Sequence, residues 1–485
     1  MAWDGPRTEF SFWTPSIPTL ERTLPLRGPL VSSYRLLRVA WLAVTLPLHV
    51  TILLVSLVVP HQVDRDVVCR FAQFHPRWNL KQRLVYPLLR RAIWAIADIG
   101  SADALTPNAR FKLPWWAWAL EEFTVRVGGG ARVELEVAEI TMPQTAWEEG
   151  WVREGILDPV GDVKIGSVPC FWFDRADQKA RRDPSKPGRC VLYFVGGGYV
   201  TGSPTEGSRC FKIARETGLP VLGANFRKAT SPELAFPAQL QDALTVYAHL
   251  VLECGYRDIV LAGDSAGGNL ALMLVQYLAE VAESPMVSTA SCRTSRSAAE
   301  SPLRGLVLPT GMLLFSPWCD FTAATYGEAL CARRESDDDP VHDIICASMA
   351  TNSIRLFLAR ILGTSSSPSS GSGRAEPDSV EELRGAHPWF SPALSTASAS
   401  WPDTNRTLGR PHALRILVTT GSTELFNLEI LRLVENLRSA EQANRAGGRA
   451  RGGIDVKCLS GDGEVHAFPL VPEWAWRVIR EWIAE

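Results

Sequence analysis

The feature that most constrains this chain is a glycine-x-serine-x-glycine motif at residues 263–267, with Ser265 at its centre. The short β-branched run at residues 258–262 before it is typical of a buried strand, and the apolar residues 268–275 after it favour a helix. A strand, a sharp turn and a helix form the context in which such a serine exposes its Oγ on a strained backbone. Glycine at both flanking positions leaves room for the neighbouring elements. We therefore predict that Ser265 is a nucleophile, the alternative being a chance match in a glycine-rich loop.

Length, charge and cysteine content narrow the class of protein. A sequence of 485 residues is long enough for one large domain with appendages, or for two domains. A formal net charge of -2 gives no support for nucleic acid binding. The ten cysteines include no C-x-x-C pair, so neither a zinc site nor a disulfide framework is indicated. We interpret the acidic run at residues 337–339 as a solvated loop rather than a metal site.

An uncharged apolar run occupies residues 39–59. As a helix it would span roughly 30 Å, the thickness of the hydrocarbon core of a bilayer. We predict a single transmembrane helix at residues 36–60, preceded by a polar tail at residues 1–35. Pro47 and His49 lie inside the run, and transmembrane helices tolerate proline. The alternatives are a buried helix of a soluble protein and a signal peptide, the latter disfavoured because no small-residue cleavage site is evident.

The orientation of this span is left open by its flanking charges. Arginines lie on both sides: Arg22, Arg27, Arg35 and Arg38 before it, and Arg65, Arg70 and Arg77 after it. The slight excess on the N-terminal side favours a cytosolic N-terminus and a lumenal body. Asn405 begins an N-x-T glycosylation acceptor sequence, which a lumenal body would expose to modification.

A helical connector or cap is predicted at residues 61–130, which contain several tryptophans. The aromatic stretch at residues 114–120 could lie at a membrane interface, cover the mouth of an apolar pocket, or belong to the core. These three interpretations remain open at the level of sequence.

From residue 131 onward, strand patterns alternate with helical ones. The candidate strands are residues 132–140, 168–173, 190–195, 220–224, 258–262, 311–315, 414–419 and 454–459. The first alternates with period two and is predicted to be an edge strand. The others are apolar and separated by helical segments, so we predict an α/β fold with a mostly parallel sheet of about eight strands, covered by helices on both faces.

A serine nucleophile needs a base to take its proton and a third group to orient that base. Among eight histidines, His466 follows the last predicted strand in a glycine-containing loop, so we select it as the base. Glu424 is the carboxylate nearest the end of the preceding strand, and we select it as the orienting acid. Asp320 and Asp462 are the alternatives.

Attack on an ester produces an oxyanion that needs backbone N–H donors, each worth about 3 kcal/mol. Ala266, the residue after the nucleophile, is predicted to supply one of them. Gly197 and Gly198 belong to a triple glycine directly after a predicted buried strand, so their N–H groups can approach a reacting carbonyl closely. We predict that these three residues form the oxyanion hole.

Residues 131–485 resemble the hormone-sensitive-lipase-like branch of the α/β-hydrolase carboxylesterases. The motifs that carry the resemblance lie at residues 196–198, 225–227, 235–237, 242–243, 263–269, 316–318, 390–392 and 466–468. The resemblance implies an α/β-hydrolase fold, a triad of Ser265, Glu424 and His466, and an oxyanion hole of Gly197, Gly198 and Ala266. With its N-terminal membrane segment the protein is similar to fungal sterol-deacetylase-like members. That similarity implies a membrane location, that of the endoplasmic reticulum, and a short acyl ester of a bulky apolar alcohol as the substrate.

One residue departs from the pattern of that family. The family usually has histidine immediately before the three glycines, whereas this chain has Val195. The histidine helps to hold the glycine loop through polar contacts that valine cannot make. The donors are backbone N–H groups, so the sequence predicts a hole that survives but is held less tightly.

These observations predict a membrane-anchored serine carboxylesterase or deacetylase that acts through an acyl-serine intermediate on a small apolar ester. No metal, cofactor or nucleic acid is expected. The alternatives are a non-catalytic small-molecule-binding protein of the same fold, and an acyltransferase or elimination enzyme with the same triad. The predicted organisation is a tail at residues 1–35, a transmembrane helix at 36–60, a helical connector at 61–130 and a catalytic domain at 131–485.

Overall fold

A computed structural model describes most of the residues after position 130 and two helices before it. The described residues are 29–58, 78–96, 131–152, 165–178, 187–206, 209–283, 306–321, 343–345, 347–359, 389–394, 413–446, 454–467 and 472–485. Most of the predicted tail, the tryptophan-rich stretch at 114–120, the acidic run at 337–339 and Asn405 lie outside them.

Each of the predicted strands is present. The strands are β1 Val133–Ile140, β2 Val168–Arg175, β3 Arg189–Phe194, β4 Val221–Ala224, β5 Asp258–Asp264, β6 Gly311–Phe315, β7 Leu414–Gly421 and β8 Ile454–Gly461. Within the described residues they form one sheet in the order β1-β2-β4-β3-β5-β6-β7-β8. The pairs β1–β2 and β2–β4 are antiparallel, and the pairs from β4–β3 through to β7–β8 are parallel. The prediction of a mostly parallel sheet is confirmed.

Burial along the strands follows from their place in the sheet. The central strand β6 is buried at every residue, because helices cover both of its faces. The edge strand β1 instead buries only its end residues, Val133 and Ile140, and exposes most of the residues between them. Its predicted place at the edge of the sheet is confirmed, although its burial does not follow the period-two pattern.

Helices cover the sheet on both sides, and among the described residues two further helices precede it in the chain. In chain order the helices are α1 Pro29–Val58, α2 Leu80–Ile96, α3 Gln144–Glu148, α4 Arg209–Thr217, α5 Ala238–Ala248, α6 Ala266–Glu283, α7 Ala347–Phe357, α8 Asn427–Ala446 and α9 Glu473–Ala484, of which α1 and α2 precede the sheet. Side chains of α5, α6 and α8 contribute to one apolar core, and side chains of α4 and α9 contribute to a second core on the opposite face. The domain is thus a three-layer sandwich, with the carboxyl ends of the parallel strands at one edge.

The predicted apolar span is a long helix. Helix α1 begins at Pro29 rather than at residue 36, and proline is favoured in the first turn of a helix because its missing N–H would be unpaired there anyway. The stretch Leu36–Leu54 is long and apolar enough to cross a membrane by length and composition, and 22% of it is buried in this structure. Buried helices of soluble proteins are largely enclosed, whereas most residues of this stretch are exposed.

Helix α2 packs against the loop that follows β8. Trp78, just before the helix, donates its indole N–H to the carbonyl oxygen of Gly463 at 2.5 Å. Gln82 and Tyr86 donate to the carboxylate of Glu464 at 2.9 Å and 2.6 Å. The N-terminal helices therefore reach the loop on which the predicted base lies.

Candidate active site

Ser265 lies at the turn between β5 and α6, on a strained backbone. Its φ is 53°, in the left-handed region that non-glycine residues rarely adopt. A Cβ added at Gly263 would lie 2.5 Å from the carbonyl carbon of Gly267, and one at Gly267 would lie 2.1 Å from the carbonyl oxygen of Phe194. Only glycine fits at either position, which is the steric reason predicted from the motif.

The loop after β6 holds this turn in place. The N–H of Ser265 donates to the carbonyl oxygen of Phe315 at 3.0 Å, and the N–H of Trp318 donates to the carbonyl oxygen of Ser265 at 3.0 Å. Ser316, between them, accepts the N–H of Ala467 on its Oγ at 2.9 Å. The turn that bears the serine and the loop that bears the histidine are thus attached to the same short segment.

The predicted acid is buried and oriented by its own loop. Glu424 is 1% exposed, and its Oε1 accepts a hydrogen bond from the Thr420 hydroxyl at 2.6 Å. Asn427, at the start of α8, donates to the same hydroxyl at 3.1 Å. The remaining oxygen, Oε2, is directed to His466.

The structure brings the predicted acid and base together. The Nδ1 of His466 lies 3.5 Å from Oε2 of Glu424, and both side chains are buried. That separation suits an ion pair and is longer than a formed hydrogen bond, as is common in catalytic groups without a bound substrate. Glu424, and neither Asp320 nor Asp462, is therefore the partner of this histidine; the Asp462 side chain is exposed.

The surroundings of His466 favour its protonated form. Burial lowers the pKa of the imidazole, but the facing Glu424 and the negative charges of Asp343 and Asp264 outweigh burial and raise that pKa above 6.5. The Phe426 ring meets the imidazole edge-on, with centroids 5.0 Å apart. The histidine is held between carboxylates and an aromatic ring.

A hydrogen bond between the serine and the histidine is not formed here. Neither ring nitrogen of His466 has a hydrogen-bond partner within the described part of the protein. A hydrogen bond from Oγ of Ser265 to Nε2 of His466 therefore stays a prediction. The catalytic roles of Ser265, Glu424 and His466 also stay predictions.

The predicted oxyanion donors lie on the glycine loop and at the start of α6. Gly197 and Gly198 have φ values of 114° and 61°, which glycine adopts readily. Among the hydrogen bonds of the described residues, none is donated by the N–H of Gly197, Gly198 or Ala266. The role of these three N–H groups as the oxyanion hole stays a prediction.

The glycine loop is held by a contact that the sequence did not indicate. The Oδ1 of Asp264, the residue before Ser265, accepts the N–H of Gly196 at 3.0 Å and also the hydroxyl of Tyr193. This carboxylate anchors the loop from the side of the nucleophile. The loop therefore has a polar attachment despite Val195, although the effect of Val195 on activity stays open.

The sequence analysis missed Asp343, a second buried carboxylate beside the histidine. Asp343 is 2% exposed and accepts the backbone N–H of His466 at 2.9 Å. Asp343 lies far from Glu424 and His466 in the sequence and follows no predicted strand. Neither periodicity nor motif spacing could therefore have selected it. In the described residues, no group of three or more His, Cys, Asp or Glu side chains is arranged to hold a metal ion.

Comparison with known proteins agrees with this architecture. Residues 191–364 match the family described as alpha/beta hydrolase fold. One of the solved structures that resemble this chain is the esterase LipW from Mycobacterium marinum. The TM-score is 0.45 and the sequence identity is 18%, and the match covers 80% of this chain and 96% of that one. The match and the sheet order show that the protein has the α/β-hydrolase fold.

Curated relatives match shorter stretches. An ethyl acetate hydrolase of Pseudomonas putida is 37% identical over 103 residues, which are 20% of this chain and 32% of that protein. Arylacetamide deacetylase-like 2 of Homo sapiens is 35% identical over 137 residues, or 26% of this chain and 32% of that protein. The matched part thus spans about a third of the length of these relatives.

Proposed function

We propose that this protein of α/β-hydrolase fold is a serine carboxylic-ester hydrolase of the hormone-sensitive-lipase-like branch. The observation that carries the proposal is the pairing of Glu424 with His466 at 3.5 Å, at the sheet edge where the Ser265 turn emerges. The ethyl acetate hydrolase and the deacetylase-like relative support an ester of a short acyl group.

In the proposed reaction, Oγ of Ser265 attacks the ester carbonyl carbon while Nε2 of His466 takes the hydroxyl proton. Glu424 stabilises the imidazolium that forms. The carbonyl oxygen becomes an oxyanion and accepts the N–H groups of Gly197, Gly198 and Ala266. Collapse of this intermediate expels the alcohol, which receives its proton from His466. Water, deprotonated by His466, then attacks the acyl-serine. The bond to Oγ of Ser265 breaks, this oxygen takes the proton back from His466, and the carboxylic acid is released.

We further propose an apolar alcohol, such as a sterol or terpenoid-like compound, as the leaving group. This substrate class follows the similarity to sterol-deacetylase-like proteins that the sequence indicates. Phe426 lies against the imidazole, and Trp318 stacks on Phe426 with ring centroids 5.5 Å apart. Both rings are buried, so they exclude water from one side of the base.

The proposed function is tested with a panel of esters that varies acyl length on small and sterol-sized alcohols. We expect release of acid and alcohol, with short acyl esters preferred, as measured by mass spectrometry with and without an acceptor alcohol. Tight binding of an apolar ester without turnover would instead identify a binding protein. Transfer of the acyl group to the acceptor, or loss of the acyl group by elimination, would identify the other two alternatives.

A pH profile tests the role of the Glu424–His466 pair. The base must be neutral to accept a proton, so kcat/KM should rise with pH through a midpoint above 6.5, the direction in which the pKa of His466 is shifted. In Glu424→Gln, the loss of the facing charge should lower kcat about 10⁴-fold and move the midpoint to lower pH. Asp462 is an exposed carboxylate on the loop that bears His466, and Asp462→Asn should change neither value. Equal profiles for all three proteins would contradict the pairing.

We propose that α1 anchors the protein in a membrane, that of the endoplasmic reticulum, as a single pass. Its exposed apolar side chains support this, with Val44 and Leu48 exposed to 77% and 49%. Arginine at both positions should release the protein from membranes in alkaline carbonate, because each arginine costs about 2.5–3.5 kcal/mol at the centre of a span. Arginine at Leu428 and Leu431, which α8 exposes to 45% and 41%, is the matched control and should leave the protein in the pellet. Release of the unaltered protein by carbonate would refute the anchor.

A further inference from the structure

Asp343 is a buried carboxylate that the proposed reaction does not use. Its Oδ1 accepts the N–H of His466 at 2.9 Å, and its Oδ2 accepts the N–H of Leu425 at 2.7 Å. Leu425 directly follows Glu424. One carboxylate therefore joins, through the backbone, the two loops whose side chains form the ion pair.

This link lies where the sheet no longer holds the two loops together. The pairing of β7 with β8 ends at Gly421 and Gly461. Past that pair, Thr423 connects the loops by donating its N–H to the carbonyl oxygen of Glu464 at 3.2 Å. Leu425 and His466 themselves donate their N–H groups to the carboxylate of Asp343. The relative position of acid and base therefore depends on this side chain.

The two hydrogen bonds that Asp343 accepts are buried, and burial strengthens a hydrogen bond because the local dielectric constant is low. A carboxylate that accepts backbone N–H groups makes stronger hydrogen bonds than a neutral acceptor does. Removal of the acceptor leaves two buried N–H groups unpaired, and unpaired buried donors are costly. The negative charge of Asp343 also faces the imidazole and contributes to its raised pKa.

Asp343 is itself held in place by the N-terminal helices. The Nη1 of Arg90, on α2, donates to the carbonyl oxygen of Asp343 at 3.0 Å. The next residue, Ile344, is buried in an apolar cluster with Tyr86 of α2 and Val465. Asp343 is thus fixed on one side by α2 and on the other by the two loops.

We propose that Asp343 is a positioning residue of the active site. It holds Glu424 and His466 in position relative to each other and stabilises the imidazolium by its charge. This inference rests on the proposed function. Asp343 acts through the backbone of its partners and does not touch the reacting atoms.

The test compares Asp343→Asn with Glu464→Gln. The asparagine keeps the shape of the side chain but loses the charge and one of the two acceptors. Misplacement of catalytic groups by about 1 Å can lower the rate about 100-fold, so we expect kcat to fall by about that factor with KM little changed.

Glu464→Gln is the control. Glu464 is also buried and lies two residues before His466, but its carboxylate accepts hydrogen bonds from Gln82 and Tyr86, so this variant should retain kcat. Rates are expressed per site titrated with a fluorophosphonate, so that unfolded protein does not count.

The pH profile supplies a readout that a purely structural role would not move. The carboxylates that face the imidazole are Glu424, Asp343 and Asp264. Asp343→Asn removes one of them and should move the midpoint of kcat/KM to lower pH, whereas Glu464→Gln should leave it in place. If the asparagine variant does not fold, Asp343→Ser, whose hydroxyl can still accept one N–H, is measured in the same way.

The outcomes separate the inference from the proposed function. No ester turnover by the unaltered protein would defeat both. Turnover by the unaltered protein with an unchanged kcat and midpoint in Asp343→Asn would overturn the inference alone. An equal fall in Glu464→Gln, or failure of both Asp343 variants to fold, would also overturn it, because the residue would then serve the fold rather than the site.

Discussion

Replacement of Ser265 by alanine should abolish ester hydrolysis and covalent labelling by a fluorophosphonate while the protein remains folded. The oxygen that forms the acyl-enzyme is lost, and removal of a serine nucleophile from a complete triad lowers kcat roughly 10⁶-fold. Alanine should not destabilise the turn, because its side chain is smaller than serine and the strained backbone is held by the bonds to Phe315 and Trp318. Labelling, turnover and thermal unfolding are measured on the same preparation.

Ser460→Ala is the matched control for this variant. Ser460 is an exposed serine on β8, close in sequence to His466 but on the strand rather than in the loop. Labelling and turnover should be retained. Persistent labelling of Ser265→Ala would show that the reactive group is another side chain, and loss of labelling in both variants would point to general damage.

Replacement of Gly267 by alanine should destabilise the whole domain. The added Cβ would lie 2.1 Å from the carbonyl oxygen and 2.6 Å from the carbonyl carbon of Phe194, closer than any real contact. Both atoms belong to the backbone at the end of β3, which cannot move aside without disturbing the centre of the sheet. We expect a loss of about 4 kcal/mol or more in the free energy of unfolding, at the extreme of what single substitutions cause. Urea unfolding measures it.

Gly188→Ala is the matched control. A Cβ at Gly188, just before β3, meets no atom within 4 Å. Its unfolding free energy should therefore remain within the small range of surface substitutions, about 0.5 kcal/mol. If Gly267→Ala unfolded at the same urea concentration as the unaltered protein, the close approach of the turn to β3 would be wrong.

The order and location of the strands after residue 130 could be predicted largely from the sequence. Each of the eight predicted strands is present, and β7 and β8 run on to Gly421 and Gly461, beyond the predicted ends. Strand boundaries are hard to locate because glycine and polar residues at a strand end resemble loops. The pairing of Glu424 with His466 was also anticipated, because side chains just after neighbouring parallel strands meet at one sheet edge.

What the sequence by itself determined is local: the apolar runs that become strands, the glycines that the Ser265 turn requires, and the long apolar helix α1. Each depends on the properties of consecutive residues. The tertiary structure decided which of Glu424, Asp320 and Asp462 meets the histidine, and it brought Asp343 and α2 to that site. The contacts of Asp343 and α2 join residues far apart in the sequence, and neither periodicity nor spacing encodes them, because a hydrogen bond depends only on which groups the fold places within about 3 Å.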